Sequence, residues 1–247
     1  MRLDKLLADM QIGSRSEVKT YIRQKKVTVD GNTEVKANQE VDPALQTVCY
    51  LGKPLKYREF EYYMLYKPKG CVTARTDAVH ATVMDYIDSS RKNLSPVGRL
   101  DLDTEGLLLI TNDGALSHDL LSPAKHVKKT YEATINGHVT DADIEAFRQG
   151  LDIGDDTFTR PAELEILSAN EQSFIRVTIT EGRFHQVKRM FQAVGKEVVY
   201  LKRISMGNLL LDETLKPGEY RELREEEIRA LKNREDIHVI ADKSSDI

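Results

Sequence analysis

The chain has 247 residues, 40% hydrophobic and 31% charged with no Trp, enough for one sizeable core and a small appendage. No window approaches the roughly 18 apolar residues that cross a bilayer, and acidic residues interrupt MRLDKLLADM where a signal peptide would have its apolar core, so a cytoplasmic protein without a membrane partner is expected. A net charge of -4 argues against whole-surface attraction to nucleic acid, and the two cysteines and six histidines form no CxxC pair or Cys/His cluster, so neither a disulfide nor a metal site is expected.

The charge is unevenly spread. The first 26 residues carry Arg2, Lys5, Arg15, Lys19, Arg23, Lys25 and Lys26 against only Asp4, Asp9 and Glu17. Leu3, Leu6, Leu7 and Met10 recur at helical spacing, and Gly13 breaks that pattern. Ser14 and Glu17 have capping-box spacing, so a second helix starts there and buries Val18, Tyr21 and Ile22. Arg15, Lys19, Arg23 and Lys26 then fall on one stripe, which is either a solvated face or a track for a phosphate backbone. Asp30-Gly31 between alternating valines predicts a hairpin. This order resembles the small αL RNA-binding module shared by a small-subunit ribosomal protein, bacterial tyrosyl-tRNA synthetases and several RNA-modifying enzymes, on RLDKLLA, GSRSEVKTYI and VTVDGN. The resemblance implies binding to structured RNA through shape and phosphates.

Periodicity fades after Asp42, and a linker is expected near residues 53–59. The expected division is a module with its linker over 1–58, a larger domain over 59–240 and a frayed tail over 241–247. The larger domain opens with the strand EYYMLY and the basic turn Lys67-Pro68-Lys69-Gly70. A short helix is expected from Thr82 to Ile87, and Asp113 caps a helix running to Leu121. KKTYEATI reads as a strand with Tyr131, Ala133 and Ile135 on one face, and Thr140 to Leu151 as a helix. Two strands follow around SANEQ, then a helix on Val187, Met190, Phe191 and Val194 that stops at Gly195. More strands and a charged last helix close the pattern. Strands outnumber helices and do not alternate with them, so the fold class is α+β: a helix-helix-hairpin module, then a mixed, mainly antiparallel sheet with packed helices.

The segment SPVGRLDLDTEGLLLITNDG joins a charged loop to the strongest apolar run, which sets side chains at the rim of a rigid strand. Asp101, Asp103, Glu105 and Gly106 imitate an EF-hand opening, but the twelfth position is Asn112 and a leucine run replaces the open loop. A D-x-D phosphatase signature needs the apolar strand before the aspartates, whereas here it follows them. Asp101 and Asp103 could also merely cap or solvate a turn. The remaining reading is one carboxylate acting on an organic substrate beside a cation, with Lys188, off the apolar stripe of its helix, a better partner than Arg99.

GRLDLDTEGLLLITNDG resembles the signature of the bacterial pseudouridine synthases that act on ribosomal RNA, and YKPKG, KTYEATI, EGRFHQVKRMF and LKPGEYREL match further family motifs in order. SPVGRLDLDTEG, LLSPAKHVKKTYE and HQVKRM are nearer to the small-subunit branch than to the large-subunit one. The resemblance implies the pseudouridine synthase fold and an isomerase that needs no cofactor. It implies Asp101 as the catalytic aspartate, Tyr131 as the residue that stacks on the target base and Lys188 as the cation beside the carboxylate. Lys188 stands where many relatives have Arg, so a point charge replaces a bidentate contact. Arg99 is implied to position the nucleic acid, and Lys67, Lys69, Arg183, Arg2, Arg15, Lys19 and Arg23 complete the expected RNA contacts. The expected partner of a monomeric chain is 16S ribosomal RNA or a small-subunit assembly intermediate. The alternatives are the same reaction on 23S RNA, or a non-catalytic RNA-binding assembly factor.

Overall fold

The computed structural model describes residues 1–89 and 93–233; the tail expected at 241–247 lies outside them. The chain forms two compact units, the first built on Met1–Phe60 and the second on Glu61–Ile87 and the chain from Leu94.

In the first unit, α1 (Leu3–Asp9) and α2 (Arg15–Arg23) accompany a sheet of β1 (Val27–Val29), β2 (Val48–Tyr50) and β3 (Lys53–Pro54), in that order. Leu3, Leu6, Leu7, Val18, Ile22, Val27 and Val48 form its core. The capping box forms as its spacing predicts: Ser14 N donates to Glu17 Oε2 at 2.8 Å, and Glu17 N to Ser14 Oγ at 3.4 Å. Such a cap stabilises the helix by about 1 kcal/mol.

One expectation holds over a shorter span than expected and one is corrected. Asp30-Gly31 makes the tight hairpin turn its sequence predicts, with both residues at positive φ and Val29 and Asn32 paired across it (Val29 N to Asn32 O at 3.1 Å, Asn32 N to Val29 O at 3.0 Å), but the pairing stops there, where Asn32 Oδ1 accepts from Glu34 N at 2.9 Å. β1 pairs instead with β2, and the Asp30 carboxylate accepts from Thr47 N at 2.8 Å and Gln46 Nε2 at 3.0 Å. Lys53 and Pro54, expected in a linker, form β3, because Leu51-Gly52 adopts a second positive-φ turn that folds them onto β2.

The second unit is built on one nine-stranded sheet. Its strands are β4 (Tyr62–Lys67), β5 (Ser95–Pro96), β6 (Glu105–Thr111), β7 (Lys129–Asn136), β8 (Glu163–Ala169), β9 (Gln172–Ile179), β10 (Glu197–Met206), β11 (Leu209–Leu210) and β12 (Tyr220–Glu222). The order is β12-β4-β6-β10-β7-β9-β8, with β5 against β6 and β11 against β10; among these strand pairs of the described residues, β6–β10 alone is parallel. The helices are α3 (Gly114–Leu121), α4 (Asp141–Gln149), α5 (Gln186–Ala193) and α6 (Glu225–Asn233). Asp113 caps α3 by accepting from Leu116 N at 3.0 Å. The stretch expected as a helix from Thr82 to Ile87 is a single 3-10 turn, Val83–Tyr86, because Ile87 is already extended.

The alternation in β7 buries Tyr131, Ala133 and Ile135, which pack with Phe147 of α4, Met190 and Phe191 of α5, and Ile175 and Val177 of β9. A second cluster joins Met64, Leu107, Leu109, Leu116 and Leu231. The loop from Val97 to Thr104 leads from β5 into β6, and Leu100 anchors it in the first of these clusters.

Candidate active site

The position of Asp101 is fixed from beneath. Lys67, at the end of β4, is fully buried and donates to the main-chain carbonyls of Pro68 (3.0 Å), Asp101 (3.0 Å) and Thr104 (2.9 Å). Gly70 N donates to Leu102 O at 2.7 Å, and Thr73 Oγ1 to Leu100 O at 2.8 Å. Lys67 is therefore not an RNA contact, as the basic turn suggested, but an internal cation that gathers the carbonyls of the Asp101 loop. Burial holds its pKa below the ordinary lysine value. Gly106 secures the far end of the loop: at φ +104, a Cβ there would lie 2.2 Å from Arg203 O, so only glycine lets β6 lie against β10.

The Asp101 side chain borders a cavity of about 870 Å³ that Arg99, Tyr131, Arg183, His185, Lys188, Leu201 and Arg203 also line. Lys188 Nζ is 3.7 Å from Asp101 Oδ2, and His185 Nε2 is 3.6 Å from Asp101 Oδ1. Lys188 makes its direct hydrogen bonds to Asp103, at 2.6 and 2.8 Å. Asp103, expected only to shape or solvate the loop, is thus the immediate partner of Lys188, and that bond holds its own pKa below the carboxylate range. The cation stands next to Asp101 and is oriented by its neighbour two residues on.

Tyr131 forms part of the cavity wall from β7. Its partner across β10 is Arg203, and Ala133 pairs with Leu201, so Tyr131, Leu201 and Arg203 share one face of the sheet. Arg99 and Lys69 are exposed, and only Arg99 lines the cavity.

Arg183 lines the cavity and is also tied to its own chain. Its Nη1 donates to Thr157 O and its Nη2 to Phe158 O, both at 2.7 Å, and its Nε to Glu181 at 3.3 Å, so the guanidinium braces the loop before β8. Arg2 forks onto Asp4 at 2.7 and 3.0 Å, which ties it to the start of α1. Arg15, Lys19 and Arg23 lie exposed along α2 as their spacing predicts.

Three further residues of the cavity wall, His185, Leu201 and Arg203, carry no motif that marks them in the sequence taken alone. The signal for Arg203 was present: Leu201, Arg203 and Ser205 alternate inward in VVYLKRISM, and a charge at an inward strand position has to be accounted for.

Residues 61–193 match the family model for RNA pseudouridylate synthase, which covers more than half of the chain. The chain is a member of that family. It is therefore an isomerase, a pseudouridine synthase. Residues 1–46 match the S4 domain model. The uncharacterized RNA pseudouridine synthase YtzG of Bacillus subtilis is 49% identical over 94% of this chain and 98% of its own. Ribosomal small subunit pseudouridine synthase A of Escherichia coli is 43% identical over 94% of this chain and 100% of its own. A crystal structure of a pseudouridylate synthase superposes with a TM-score of 0.66 at 38% identity, covering 94% of this chain and 99% of that one.

Proposed function

We propose that this synthase converts a uridine of 16S ribosomal RNA to pseudouridine, with Asp101 as its catalytic carboxylate. The observation that carries the reading is the Asp101 side chain at a cavity wall, on a loop pinned from both sides, with two basic side chains within 4 Å. Relatives named for the small ribosomal subunit, matched over nearly their whole length, support the choice of RNA. The first unit supplies RNA contacts through α2, and the second carries the reaction. The chain acts as a monomer, in the cytoplasm, on RNA or on an assembling small subunit.

A uridine stacked in a helix hides its glycosidic bond, so it must be flipped into the cavity at a cost of a few kcal/mol, about what stacking on Tyr131 and contacts to the RNA backbone can offset. Asp101 attacks the sugar or the pyrimidine ring, forming a transient covalent bond. The bond from C1′ to N1 opens and its electron pair leaves with the pyrimidine. The ring turns in place, C5 bonds to C1′, the bond to Asp101 breaks and returns the free carboxylate, the C5 proton is lost and N1 takes up a proton, so the product is an isomer of the substrate. Lys188, held by Asp103, keeps positive charge beside the carboxylate, and Arg99 at the rim positions the RNA backbone.

Because an isomer has the same mass, the test is chemical mapping of pseudouridine in 16S and 23S RNA after incubation with the enzyme. One new site in 16S RNA is expected. Asp101→Asn should abolish it while the melting temperature stays unchanged. A site in 23S RNA alone would reassign the substrate, and product formed by Asp101→Asn would remove Asp101 from the chemistry.

A further inference from the structure

The cavity wall contains a second cationic group that the mechanism above does not use. Arg203 is 2% exposed; its Nε donates to Leu107 O at 2.8 Å, and its Nη2 is sealed from solvent with no hydrogen-bond partner among the described residues. Lys129 is 7% exposed, lies two residues from Tyr131 on the same face of β7, and donates to Val127 O at 3.1 Å. Both line the cavity, and among the described residues neither forms an ion pair. Burial, with the Arg203 charge added to it, lowers the Lys129 pKa to about 8.

Two buried cations without a carboxylate are costly to fold, and Arg203, which lines the cavity, has a guanidinium nitrogen left unpaired among the described residues, so a turn of the side chain toward the cavity would give that donor an acceptor there. The acceptor can be narrowed down. Phosphates belong to the RNA backbone at the mouth, whereas the residue facing Arg203 across the strands is Tyr131, the one placed to stack on the base. A flipped pyrimidine presents two carbonyl oxygens, O2 and O4, at its edge. When the glycosidic bond opens, the electron pair that leaves with the ring spreads onto those same oxygens, so a cation there stabilises the opened state more than the bound uridine.

We infer that the Arg203 guanidinium, with Lys129 beside it, donates to a carbonyl oxygen of the flipped uracil and holds the negative charge the ring carries while detached. The inference rests on the pseudouridine synthase reading of this cavity and adds a residue to it. Arg203 then also discriminates between bases: if its acceptor is O4, cytosine presents an amino group there and is rejected.

The test is a cycle of enzyme and substrate variants. Arg203→Met is compared with wild type on the target RNA bearing uridine, 2-thiouridine or 4-thiouridine at the mapped site, because sulfur is the poorer acceptor. Arg203→Met is expected to lower kcat by about 10²- to 10³-fold, as loss of one charge-stabilising donor does, with RNA affinity unchanged. One thio substrate should slow wild type about tenfold more than it slows Arg203→Met, a coupling that a purely structural role would not produce. Coupling factors of one for both thio substrates overturn the assignment. If wild type makes no pseudouridine from unmodified RNA, the underlying reading fails as well, so the two failures are distinguishable. Should Arg203→Met lose its cooperative melt, Arg203→Gln, a neutral donor, carries the same comparison.

Discussion

Lys67 supports the Asp101 loop from inside, and its replacement by Met separates positioning from contact. Three buried carbonyls, those of Pro68, Asp101 and Thr104, would lose their donor. Each unsatisfied carbonyl costs about 1–3 kcal/mol, a gross loss of roughly 3–9 kcal/mol. Removing an ammonium group whose burial is itself unfavourable offsets several kcal/mol of that, leaving a net destabilisation of about 3 kcal/mol. In a unit of this size that lowers Tm by about 6–12 °C. The freed loop shifts Asp101, and a displacement near 1 Å is expected to reduce kcat by about 10²-fold. Lys67 is fully buried beneath the loop, so RNA affinity by filter binding should hold. Thermal melts and tritium release from RNA carrying tritium at C5 of uridine read the two effects. A Lys67→Met enzyme that melts and turns over like wild type would refute the argument that this cation sets the loop.

Replacing Arg15, Lys19 and Arg23 of α2 together with Ala should weaken RNA binding and flatten its dependence on salt, by about 2–3 units of slope in a logarithmic plot, with melting unchanged; an unaltered titration would make the stripe a solvated face. Lys129 titrates near 8 in the folded chain against an ordinary value of 10.5, so between those values the unfolded chain holds more protons and stability rises with pH. At neutral pH its charge therefore costs stability, up to about 3 kcal/mol, and Lys129→Met should be relatively more stable at pH 7 than at pH 10. Urea midpoints for both proteins at the two pH values check this, and a difference between them that does not change with pH contradicts it.

The parts legible in the sequence are those that local rules decide. The capping box at Ser14, the cap at Asp113, the alternation through Tyr131 and the stripe of α5 each depend on residues within one or two turns, and each forms. What the sequence concealed depends on chain segments far apart. Nothing near Asp30 reveals that β1 pairs with residues 48–50. The basic turn at Lys67 reads as exposed, because only the pairing of β4 with β6 puts its ammonium group under the Asp101 loop. Lys188 and Asp103 meet across 85 positions of sequence, so their bond is a product of the sheet order.

The same distinction explains why net charge was a poor guide to the partner. A chain of net charge -4 still gathers Lys67, Lys129, Lys188, Arg99 and Arg203 at or beneath one cavity. Their environments differ: Lys188 is balanced by Asp103, Lys67 by carbonyls, and Lys129 and Arg203 by no carboxylate among the described residues. A core chosen for stability alone would replace the last two with apolar residues of similar volume, a change that is often neutral or stabilising. Their presence at inward positions on the face that carries Tyr131 is accounted for if the cavity receives negative charge during the reaction, which a pyrimidine detached from its sugar brings to it.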